Sequence, residues 1–139
     1  EYPVSRFVAD FIGSVNIFEG RLIEDEPDHV RIRAADLDAV IHVDHGISSA
    51  PDATVWAAIR PEKMTIGRER PEGSENLARG VVQEIAYMGD LSIYRVRLGS
   101  GRLVRVTRPN VLRHPEDRIG RDEQVYLSWH PSSPVVLTR

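Results

Sequence analysis

The chain has 139 residues, enough for one ordinary domain or two small, closely packed barrels. It carries 18 basic and 21 acidic residues, a formal charge of -3, and no cysteine. Disulfides and thiolate metal sites are therefore excluded, and a dedicated nucleic-acid binder, with its usual basic surplus, is disfavoured.

No apolar run approaches the ~20 residues that span a bilayer. The N-terminal stretch lacks the basic, apolar and small-residue zones of a secretory leader, so the chain reads as soluble and unexported. Pro3 and Ser5 precede Phe7, Val8, Phe11 and Ile12, which fall on one face at helical spacing. Ser5 can cap the first turn and Gly13 can close the last in a left-handed conformation, so a short amphipathic helix is predicted over residues 5–12. Two turns are marginal alone, and this helix needs a surface to dock against.

After Asn16 the period changes to two. Residues 17–23 read as a strand, with Gly20 at its middle marking a bend or a close backbone approach. Residues 30–34 alternate cleanly, 40–43 follow, and 54–60 form a further strand stopped by Pro61, which lacks a ladder donor. The polar run 67–76, with Pro71-Glu72-Gly73-Ser74, reads as a linker. From Gly80 a meander follows over 80–87, 91–98 and 102–107, its turns supplied with glycine at 89, 99 and 101. Residues 125–129 and 135–137 are the last strands. Tyr87 and Tyr94 lie in phase with aliphatic neighbours and are core candidates, while Arg95 and Arg97 share the opposite face.

Many short strands at close spacing predict an all-β fold of two small OB-like barrels with a short N-terminal helix. The expected organisation is a helix and junction over 1–16, a first OB-like unit over 17–68, a linker over 69–79 and a second unit over 80–139. Whether the units share strands is left open, and no sequence repeat between them is evident.

Catalytic signatures are missing. The only lysine, Lys63, lies between Glu62 and Met64, so no phosphate-binding P-loop is present. Gly99-Ser100-Gly101 lacks the third glycine and following helix of a dinucleotide fingerprint and reads as a hairpin turn. No serine sits in a nucleophile elbow. His42, Asp44 and His45 lie close together, and Glu24, Asp25, Glu26 and Asp28 form an acidic loop, but neither group has the converging ligands of a zinc or calcium site. Arg95, Arg97, Arg102, Arg105 and Arg108 would suit an OB-type nucleic-acid binder if exposed aromatics accompanied them; as the solvated side of a half-buried sheet they need no ligand.

The pattern of several weak motifs is more informative than any one. Phe7-Val8-Ala9-Asp10-Phe11-Ile12-Gly13 followed by Asn16, then Ile59-Arg60-Pro61-Glu62, then Gly80, Tyr87, Gly89, Tyr94 and Val96, then Val125, Leu127, Trp129 and Pro131 occur in order along nearly the whole chain. In this the chain resembles the C-terminal TOBE-type regulatory domain of ABC importer ATPases, in the branch with spermidine/putrescine, iron and maltose-type transporters. Ala58 stands where that family commonly has glycine, and Asn16-Ile17-Phe18 leans toward the polyamine-like branch.

The resemblance implies a non-catalytic regulatory and dimerisation domain, peripheral at the cytoplasmic face of the cell membrane. Its partners would be an N-terminal nucleotide-binding domain, a second copy of the subunit and the transporter's membrane subunits, with no nucleic acid. It implies no cofactor in this chain, with ATP and Mg²⁺ held by the nucleotide-binding domain of the parent. Phe11, Ile12, Gly13, Asn16, Arg60, Pro61 and Glu62 are the expected docking residues, and no catalytic, nucleotide-binding or metal residue is expected. Two other functions fit such barrels: a sensor of a small oxyanion or solute, and an OB-type nucleic-acid module.

Overall fold

A computed structural model describes residues 15–37, 39–50, 52–110 and 118–138. The helix expected over 5–12 lies outside the described residues. Ten strands follow in order: β1 (Asn16–Glu26), β2 (His29–Ala34), β3 (Ala39–Val43), β4 (Thr54–Ile59), β5 (Thr65–Gly67), β6 (Asn76–Met88), β7 (Leu91–Leu98), β8 (Leu103–Pro109), β9 (Gln124–Trp129) and β10 (Val135–Leu137). Short 3-10 turns occupy Ala35–Leu37 and Pro61–Lys63. All strand pairs are antiparallel, in two five-stranded sheets ordered β10-β4-β1-β2-β3 and β5-β9-β6-β7-β8. The chain is thus all-β, with two curled sheets of OB-like form.

The two sheets are versions of one plan. With β1 to β4 matched to β6 to β9, the strand orders coincide, and the fifth strand of each half crosses to the other sheet. β5 pairs with β9, Thr65 opposite Ser128, and β10 pairs with β4, Val135 opposite Ala58. Neither 17–68 nor 80–139 therefore builds a five-stranded sheet alone.

The match extends to single residues. Asn16 and Asn76 each open the long strand of their sheet, opposite Ile59 and Trp129. Four residues on, Gly20 and Gly80 face the second strand of each sheet. Three residues later each long strand carries a bulge, at Ile23 between Leu22 and Glu24 and at Gln83 between Val82 and Glu84. Just past the bulges, Glu24 bonds Arg31 at 3.3 Å and Glu84 bonds Arg95 at 3.2 Å. A bulge sharpens the bend of its strand, which curls each sheet at the same place.

Alternation decides which face is buried. β7 alternates along its whole length, burying Ser92, Tyr94, Val96 and Leu98 and exposing Arg95 and Arg97. Phe18, Leu22, Ile32, Ile41, Val55 and Ile59 from one sheet and Val82, Tyr94, Val96, Val106 and Leu127 from the other belong to one continuous core. Tyr87 departs from its expected burial and is 52% exposed. Past the bulge, Ile85 still packs on the core, but the strand overshoots it, and Tyr87 near the hairpin tip has the Arg118 guanidinium 5.4 Å from its ring centre. β6 also begins at Asn76, inside the polar run read as linker, because that asparagine is fully buried.

Gly20 and Gly80 are set by close approach. A Cβ on Gly20 would lie 2.6 Å from the Arg33 carbonyl oxygen, and one on Gly80 2.8 Å from that of Arg97. Backbone cannot yield as a side chain tip can. Gly20→Ala and Gly80→Ala are each expected to destabilise by about 1–3 kcal/mol in denaturant unfolding. Gly99→Ala, with nothing within 4 Å, should shift stability by under ~0.5 kcal/mol. Equal effects at the three positions would show that close packing does not select these glycines.

Candidate functional site

Asn16 and the Arg60-Pro61-Glu62 turn, far apart in sequence, meet at one corner. Asn16 pairs with Ile59 at the end of β4. Arg60 continues in extended conformation, and Pro61 opens a 3-10 turn whose fixed φ and missing donor suit that position. Lys63 N–H bonds the Arg60 carbonyl at 2.9 Å and Met64 N–H bonds that of Pro61 at 3.3 Å. Met64 is then buried, its sulfur accepting a hydrogen bond from Asn16 Nδ2 at 3.2 Å.

The rest of the Asn16 carboxamide is spent on the other sheet. Nδ2 donates to the Arg105 carbonyl at 2.8 Å, and Oδ1 accepts from Arg105 N–H at 2.9 Å. Asn16 is 5% exposed, so its side chain bridges β1 to the β8 edge inside the protein. At the turn, Pro61 is buried while Arg60 and Glu62 are exposed. Of the residues expected to dock, Phe11, Ile12 and Gly13 lie outside the described residues.

An equivalent corner escaped the sequence reading. Asn76 Oδ1 accepts from His42 N–H at 2.7 Å, and its Nδ2 donates to the His42 carbonyl at 2.9 Å. His42 and Arg105 are matching residues, facing Arg31 and Arg95 across their own sheets. His130-Pro131-Ser132 occupies the place of Arg60-Pro61-Glu62, with Ser133 N–H bonding the His130 carbonyl at 2.9 Å. Pro131 in turn accepts from Asp44 N–H at 3.1 Å. One signal was present in the sequence: asparagine four residues before a glycine, with a glutamate four residues further on, occurs twice at a spacing of 60 (76 − 16 = 60).

Arg102 adds a third tie between the sheets. Its guanidinium bonds the Ile17 carbonyl, pairs with Asp36 at 3.2 Å and lies 4.6 Å over the Phe18 ring. Ser100 Oγ donates to the Asp36 carbonyl at 2.6 Å.

The titratable clusters are local. On the β1–β2 hairpin, hydrogen bonds to Glu24 and then Asp28 raise the His29 imidazole above its ordinary value, and the same bonds hold both carboxyls below theirs. His42 stands 3.8 Å from Glu75, and His45 3.6 Å from Asp44. Among the described residues no three His, Cys, Asp or Glu side chains form a group that could hold a metal, and no helix is long and apolar enough to cross a membrane. Lys63 lies exposed in the 3-10 turn, and residues 98–102 close a hairpin through Gly101 N–H on Leu98 and Leu98 N–H on Arg102, both at 2.9 Å.

Comparison with known proteins is consistent with this geometry. The family model described as TOBE domain matches residues 57–137. The chain is 41% identical over 138 residues to the putrescine transport ATP-binding protein PotG of Escherichia coli strain K12, covering 99% of this chain and 37% of that protein. It is 34% identical over 140 residues to the spermidine/putrescine import ATP-binding protein PotA of Rubrobacter xylanophilus, covering 99% and 35%. The PotA of Chromobacterium violaceum is 30% identical over 139 residues, covering 99% and 38%. The chain therefore spans little more than a third of the curated relatives it matches. The solved structure of the cytoplasmic molybdate-binding protein ModG, with molybdate bound, matches with a TM-score of 0.80 at 12% identity, covering 91% of this chain and 98% of that one. That likeness shows the fold alone.

Removing either asparagine takes the side-chain partner from a part-buried N–H and C=O, at up to about 1–3 kcal/mol per orphaned group. Asn16→Ala and Asn76→Ala should each lower Tm by roughly 5–10 °C. Asn76→Asp, which keeps the acceptor but not the donor, should do no better. A melting temperature unchanged in either alanine variant would show that the bridge contributes nothing.

Proposed function

The chain belongs to the TOBE domain family, and from that premise we propose that it is the regulatory and dimerisation part of the ATP-binding subunit of an ABC-type solute importer, itself non-catalytic. The observation that carries this reading is the 41% identity to PotG along 99% of the chain. The remaining two-thirds of such a subunit would hold ATP and Mg²⁺ and contact the membrane subunits, placing the whole at the cytoplasmic face of the membrane. The names of the relatives favour a polyamine as the solute, selected by other subunits.

A part that does not touch the nucleotide regulates only by meeting the open and closed assemblies with different free energy. Allosteric couplings of about 1–3 kcal/mol, or roughly 5–150-fold in affinity, are usual. The exposed Arg60 and Glu62 suit that task because the buried Pro61 and the Asn16 bridge hold their turn rigid. Asn16 thus serves docking by positioning, while the contacts fall to Arg60 and Glu62.

In the full-length subunit, Arg60→Ala combined with Glu62→Ala should leave folding intact and change dimerisation or the coupling of ATP hydrolysis by roughly fivefold or more. Sedimentation and transporter-stimulated ATPase assays read these two quantities. Unchanged values in both would remove this turn from the docking surface.

A further inference from the structure

The outer face of the second sheet carries a groove that the regulatory role does not use. It has a volume of about 1340 Å³ and runs beside β6, the end of β7 and the start of β9. Leu77, Val81 and Tyr126, all half-buried, line it together with the exposed Arg70, Arg79 and Arg97. Among the described residues that line it there is no Asp or Glu.

These arginines differ from five others in the chain. Arg21, Arg31, Arg68, Arg95 and Arg102 each have a carboxylate within 3.5 Å. Arg70, Arg79 and Arg97 have no ion pair among the described residues. Among the described residues, the groove therefore gathers positive charge without an acidic partner, on a chain whose net charge is -3.

The internal duplication supplies a control. By the shared register, the counterpart of Arg79 in the first sheet is Glu19, facing Trp56 as Arg79 faces Tyr126. The fold thus accepts either sign at this place; Arg97, by the same register, has a basic counterpart in Arg33, so the difference between the sheets lies at Arg79.

We propose that this groove binds an acidic, extended polypeptide segment of a partner protein. Its volume exceeds the roughly 300–1,000 Å³ typical of small-ligand sites, which favours a chain segment over a single oxyanion. Its half-buried Leu77, Val81 and Tyr126 can cover the apolar side chains of such a segment while the arginines meet its carboxylates, with planar forks suited to two-point contact. A nucleic acid is disfavoured because Tyr126 is not fully exposed for stacking and the chain as a whole has a net charge of -3. A flat lipid surface does not enter a concave groove.

The test is fluorescence polarisation of the full-length protein with a labelled glutamate- and leucine-containing peptide of roughly ten residues, about 33 Å when extended. Saturable binding is expected, weakening with salt and falling about tenfold or more when Arg79→Gln and Arg97→Gln are combined. Arg70→Glu should weaken it as well, and Arg95→Gln, outside the groove, should not. The proposal is overturned by absence of saturation, by equal affinity for the glutamine analogue of the peptide, or by unchanged affinity in the folded Arg79/Arg97 variant. Displacement of the peptide by millimolar inorganic phosphate, or tighter binding of a single-stranded RNA oligonucleotide, would assign the groove to those anions and overturn it equally.

Discussion

The structure depends on a reciprocal bridge, in which an asparagine side chain from each sheet satisfies the backbone of the other sheet's edge strand. A carboxamide offers one acceptor and donor hydrogens on adjacent atoms, so it can pair with both groups of a single residue as a neighbouring strand would. Asn16 does this for Arg105 on β8, and Asn76 for His42 on β3. β3 and β8 end their sheets, and open edges carry unpaired donors and acceptors that invite aggregation. The opposite ends are closed by the exchanged strands β10 and β5. Each half thus completes the other, and one core runs through both.

This interlock explains where function can reside. Positions common to both halves serve the scaffold: the paired asparagines, the glycines that admit a neighbouring carbonyl, the bulges and the prolines at the turns. Positions where the halves differ are free to specialise. Arg60 and Glu62 face His130 and Ser132 as counterparts, and Glu19 stands where the second sheet has Arg79. A shared scaffold with dissimilar outer faces can present different surfaces to different partners without changing its frame.

The sequence displayed the strands well where alternation was clean. Residues 91–98 and 135–137 were read at the bounds they have in the structure, and 30–34 and 125–129 to within one residue. The family was legible from the order of weak motifs, several of which fall on the shared scaffold positions. Three things were hidden. β5 is only three residues long and follows a proline turn, too short for any period to show. The exchange of fifth strands concerns partners distant in sequence, which local pattern cannot reveal. The duplication was masked because the spacing between matched residues changes from 60 at Asn16 and Asn76 to 70 at Pro61 and Pro131 (131 − 61 = 70), as loop lengths differ. Tyr87 shows the converse failure: its phase was right, but the strand outran the core it would have entered.

If the two sheets are one interlocked body, neither can open without the other. Native-state hydrogen exchange reads this directly at the amides of His42 and Arg105, which are donated to Asn76 and Asn16. The account predicts that both exchange with the same free energy as the central amides of β1 and β6, through one global opening. A lower opening energy confined to one sheet, with the other still protected, would contradict it.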